Sequence, residues 1–113
     1  MKWLEVIHLR SAKPNTDMLD SFLDQLVDDI RKEEGSLKFN LFKRVDLATD
    51  VCLQLNHGSK QVKPPGSRLG MHLSSLFKSF GMVNHTVWVE KEHIARAVIH
   101  TRMKNSSGGT EDE

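Results

Sequence analysis

Apolar residues recur along this chain in two rhythms. Near the start, Trp3, Leu4, Val6, Ile7 and Leu9 fall on both parities of a two-residue repeat. That pattern predicts a strand over residues 2–10 with apolar character on both faces. Lys13, Pro14 and Asn15 break it, since proline donates no ladder hydrogen bond. Met18, Leu19, Phe22, Leu23, Leu26, Val27 and Ile30 then form one broad stripe at helical spacing. Asn15, Thr16 or Asp17 can cap this helix, and Gly35 suits its left-handed exit. Two further strands, over residues 37–45 and 51–56, flank a turn at 46–50 and predict a hairpin. A polar, basic loop at 57–66 holds Pro64 and Pro65. Ser67 caps a second helix with the stripe Leu69, Leu73, Leu76, Phe77 and Phe80, which Gly81 ends. A fourth strand follows over residues 82–90, then an ambiguous segment at 93–103 that leans to a strand extension.

The order is βαββαβ, which predicts an α+β, ferredoxin-like domain over residues 1–104 and a disordered acidic tail at 105–113. Right-handed crossovers place both helices on one face of an antiparallel sheet. The strands read as apolar on both sides, yet one chain covers only one. The bare face is therefore expected to pair with a second copy about a twofold axis, giving a homodimer in the form of a dimeric α+β barrel.

Charge and composition narrow the function classes. The chain has 113 residues, with 16 basic and 15 acidic side chains and a formal net charge of +1. No strong field attracts phosphates, so no nucleic-acid partner is expected. No apolar run approaches membrane-spanning length, so no membrane partner is expected, and a cytoplasmic location is the default. The single cysteine, Cys52, fits a reducing compartment and reads as a buried strand residue.

Residues 2–91 resemble the antibiotic biosynthesis monooxygenase family of dimeric α+β barrels. The resemblance is carried by the first helix closing in Glu34-Gly35, by the hairpin, and by a second helix reading His72-Leu73-Ser74-Ser75-Leu76-Phe77-Lys78-Ser79-Phe80. It implies small homodimers with a pocket between sheet and helices. It also implies oxidation of phenolic or quinol compounds by O2 with no cofactor. Some relatives degrade haem with an asparagine on strand one and a tryptophan on strand three. This chain has Ile7 and His8 on strand one and Gln54-Leu55-Asn56-His57 at the end of strand three, which disfavours that reaction. The glutamate and tryptophan that often end the family's third strand are also absent, the following loop is longer, and there is no tyrosine.

The candidate chemistry centres on a few polar residues in apolar settings. His72 lies beside the second helix's stripe, where an imidazole can serve as a base or simply sit at the rim of the core. Glu5 interrupts the set Trp3, Ile7 and Leu9, and a covered carboxylate needs a partner or a raised pKa. A lysine or arginine partner is expected, with a His72 dyad as the alternative. His8 and His85 lie on neighbouring strands and can polarise a substrate. No spacing links them to Cys52, Asn56, His57 and Glu5 as a ligand set, so no metal is expected. Asn40 can anchor a substrate oxygen and Trp88 can stack on a ring. Lys60, Lys63 and Arg68 form a basic patch that can meet an anion or remain a solvated loop. The expectation is a cofactor-independent monooxygenase acting on a small aromatic or quinol-like compound. Its catalytic residues would be His72 and Glu5, with Trp88, Asn40, His85 and His8 binding substrate. The alternative is a non-catalytic ligand-binding or interaction module on the same barrel.

Overall fold

The central strand, β1 (Trp3–Ser11), alternates in burial as a pleated strand must: Trp3, Glu5, Ile7 and Leu9 are buried, and Leu4, Val6 and His8 are half-buried. These features come from a computed structural model that describes residues 1–12, 17–47 and 49–91. The expected extension at 93–103 and tail at 105–113 lie outside those residues. After β1 come α1 (Asp17–Glu33), the hairpin of β2 (Lys38–Lys43) and β3 (Asp50–Gly58), then α2 (Arg68–Phe77) and β4 (Gly81–Val89). The four strands form one antiparallel sheet in the order β2-β3-β1-β4. The architecture is α+β and compatible with a ferredoxin-like arrangement.

One face of the sheet carries the core. Ile7 and Leu9 of β1 and Val51, Leu53 and Leu55 of β3 pack against Leu19, Leu23, Leu26 and Ile30 of α1 and Leu73 and Phe77 of α2. Burying these side chains stabilises the fold by about 1.5–3 kcal/mol each. The acidic first turn of α1 (Asp17, Asp20) and its basic last turn (Arg31, Lys32) complement the helix dipole. Met18, expected in the α1 stripe, is exposed, because the helix buries a narrower arc than the sequence suggests. Gly81 opens β4, and α2 has already stopped at Phe77.

The other face lacks the uniform apolar character read from the sequence. Register places Leu4, Val6, Phe42, Cys52, Met82 and Trp88 there, among His8, Asn40, Gln54, Asn56, Asn84 and Thr86. Met82 and Trp88 stand 74% and 58% exposed. No helix among the described residues is long and apolar enough to cross a membrane.

Candidate functional site

Strand register builds the site around Glu5. Glu5 pairs with Leu55 on β3 and Val87 on β4. Side chains two residues apart share a face. His57 on β3 and His85 on β4 therefore stand on the same side of the sheet as Glu5, under the helices. His57 Nε2 lies 2.5 Å from Glu5 Oε2 and His85 Nε2 lies 2.7 Å from Glu5 Oε1.

The entry to α2 supplies the other two donors. Ser67 has an extended backbone, and its Oγ accepts the Gly70 N–H at 2.9 Å as the helix N-cap. The same hydroxyl donates to Glu5 Oε2, and the Ser67 N–H donates to Oε1 at 3.0 Å. Glycine is required on both sides of this contact. A Cβ on Gly70 would stand 2.0 Å from Glu5 Oε1. A Cβ on Gly66 would stand 2.5 Å from His85 Cε1, and its φ of +104° already favours glycine.

Glu5 is wholly buried and accepts four hydrogen bonds, two on each oxygen. Burial pushes its carboxyl up, but the bonds from Ser67, His85 and His57 more than offset this, so it titrates below its ordinary value. An ionised carboxylate only accepts, so both imidazoles donate from Nε2. A ring that donates from Nε2 while neutral carries its free lone pair on Nδ1, where it can accept a proton. The sequence pointed to a lysine or arginine for Glu5, or to His72. The carboxylate instead takes the imidazoles and the serine that register and the α2 turn bring to it.

Two clefts meet at Trp3 and His57, whose rings stack with centroids 4.1 Å apart. One, of about 580 Å³, lies between the C-terminal end of α1, the loop after β3 and the start of α2. Its walls include Trp3, His57, Ser67, Leu69 and His72. The other, of about 780 Å³, opens at the end of the sheet and includes Trp3, Leu4, Asn56, His57 and Trp88. His57 is thus held by Glu5 and also lines both clefts.

The expected site residues divide among these places. Glu5 and His85 share the buried network. His72 is exposed on α2 and reaches the wall of the smaller cleft. Trp88 borders the larger cleft, with its indole N–H donated to Thr86 Oγ1 at 2.8 Å. Asn40 lies on the open face, accepting a 3.5 Å bond from Asn56. His8 pairs in register with Asn84 while His85 pairs with Ile7, so the two histidines point to opposite faces and do not act together. Among the described residues, no group of three His, Cys, Asp or Glu side chains is arranged to hold a metal ion. Cys52 is half-buried on the open face, and burial pushes its thiol up.

His57 and Ser67 are the members that reading the sequence missed. The signal for His57 was the register of β1 on β3, and Ser67 was recognised only as a cap. Comparison with protein-family models, curated proteins and solved structures finds no match to this chain.

Proposed function

We propose that this chain is a cytoplasmic, homodimeric, cofactor-independent monooxygenase of the antibiotic biosynthesis type, acting on a small aromatic or quinol-like compound. The observation that carries this reading is the buried Glu5 carboxylate holding His57 against the Trp3 ring at the junction of two clefts. A flat ring fits in the cleft beside His57, among lining residues that include Trp3 and Leu69. His57 Nδ1 then takes a proton from the ring hydroxyl or activated CH of the substrate. Glu5 keeps the imidazole's tautomer and compensates the charge it gains. The resulting anion is electron-rich enough to reduce O2. One oxygen atom joins the substrate carbon, and the other leaves as water with electrons that the substrate itself supplies. His72 assists from the cleft wall. Leu4, Val6, Phe42, Met82 and Trp88 on the open face are the surface for the second copy.

Oxygen uptake with a panel of quinols and anthrones tests the reaction. Consumption above background is expected, with His57→Ala lowering the rate by about 100-fold or more, as for a lost general base. An unchanged rate in that variant removes His57 from the mechanism. A wild-type protein that consumes no oxygen overturns the enzymatic reading.

One observation favours the alternative, a binding module without chemistry. The Glu5 network ties together β1, β3, β4 and the entry to α2, so holding the fold already accounts for it. That reading predicts ligand binding without oxygen consumption. Light scattering decides the dimer separately, and a monomer mass at micromolar concentration contradicts it.

A further inference from the structure

We infer that the smaller cleft takes an anionic ligand, so that the compound bound there is an aromatic carboxylate and not a neutral phenol; this rests on the proposed reading of that cleft as the ligand site. Lys60, Lys63 and Arg68 all line it. All three are exposed, and none makes an ion pair among the described residues. Like charges that line one cleft repel one another, and a bound anion relieves that repulsion.

The wall is held in shape by the same backbone that builds the Glu5 network. Gly66 N–H donates to the Lys63 carbonyl at 2.7 Å, closing a turn, and Ser67 then docks on Glu5. The three cations line the same cleft as the candidate base, and the segment that carries Lys63 ends where Ser67 docks on Glu5. Glu33, the last residue of α1, and Glu34 line the same cleft, and a bound anion is expected to sit by the cations and away from these carboxylates. Leu69 and the buried Trp3 are among the apolar lining residues, and about 580 Å³ suits one or two fused rings. An arginine also offers paired donors to a carboxylate.

A matched pair of probes tests this: hydroxynaphthoate and the neutral hydroxynaphthamide of the same ring, titrated by calorimetry at low and high salt. The acid is expected to bind about tenfold more tightly than the amide, the scale of one good charge contact. High salt and the triple variant Lys60→Gln, Lys63→Gln, Arg68→Gln should each erase the preference. These positions are exposed, so the variant should keep its fold, and circular dichroism verifies that it has. Equal binding of acid and amide, a preference that survives in the triple variant, or binding of neither probe overturns the inference. Oxygen uptake is read separately. Acid preference without oxygen consumption leaves the anion site standing and removes the enzyme. Consumption of a neutral quinol with no acid preference does the reverse.

Discussion

Two carboxylates are buried in this sheet, and their surroundings differ. Glu5, on the helix-covered face, satisfies both oxygens with four hydrogen bonds from His57, His85 and Ser67. Asp50, beside the hairpin turn, shares a single oxygen among His8 at 3.5 Å, Arg10 at 3.8 Å and Arg44 at 3.4 Å. Its other oxygen is buried with no hydrogen-bond partner among the described residues. Short bonds from side chains on packed strands fix a geometry. Longer contacts from exposed arginines supply compensating charge and leave geometry loose. Glu5 thus orients the groups around it, while Asp50 anchors the hairpin by charge.

Removing the Glu5 carboxylate should produce the largest effect. Glu5→Ala leaves two imidazoles and both Ser67 donors without their acceptor, and a loss of about 3–4 kcal/mol is expected in urea denaturation. Gly70→Ala should cost about 2–3 kcal/mol by forcing a methyl into the same carboxylate. A Gly70→Ala protein as stable as wild type would mean that Ser67 and Glu5 do not pack as described.

Acid should sharpen the comparison next. The Glu5 carboxyl titrates below its ordinary value of 4.5, so the unfolded chain takes up its proton first as pH falls. The associated stability is therefore complete above pH 4.5 and is lost as pH drops through the folded value. Glu5→Gln should flatten this acid limb of the stability curve. An acid limb equally steep in that variant assigns the loss to other groups.

The smallest effect is expected at the other carboxylate. Asp50→Asn should cost about 1 kcal/mol, with a contribution that shrinks as salt rises. A loss matching that of Glu5→Ala would break the contrast, because diffuse contacts would then be holding as strongly as directed ones.

Much of the scaffold could be read from local patterns. The stripe Leu19, Leu23, Leu26 and Ile30 marks α1, and Ser67 marks the start of α2, because periodicity and capping depend on residues a few positions apart. Glu5 was recognisable as an anomaly, since it stands among Trp3, Ile7 and Leu9. Its partners were not, because His57 and His85 are 52 and 80 residues away. Only the pairing of β1 with β3 and β4 carries them there. The open face also differs from the strand patterns: Val6 and Trp88 share it with Asn40, Gln54 and Asn84, a mixture that alternation within one strand does not reveal.

The sequence by itself thus determined the elements, their order and the presence of a carboxylate in need of partners, since these follow from local spacing and the cost of burying charge. The tertiary structure alone decided which partners those are. Antiparallel register fixes which residues on three strands share a face, and Gly66 before α2 and Gly70 in its first turn let the backbone approach closely enough for Ser67 to complete the set. That long-range geometry turned an isolated glutamate into an orienting group for His57, at the meeting of the two clefts.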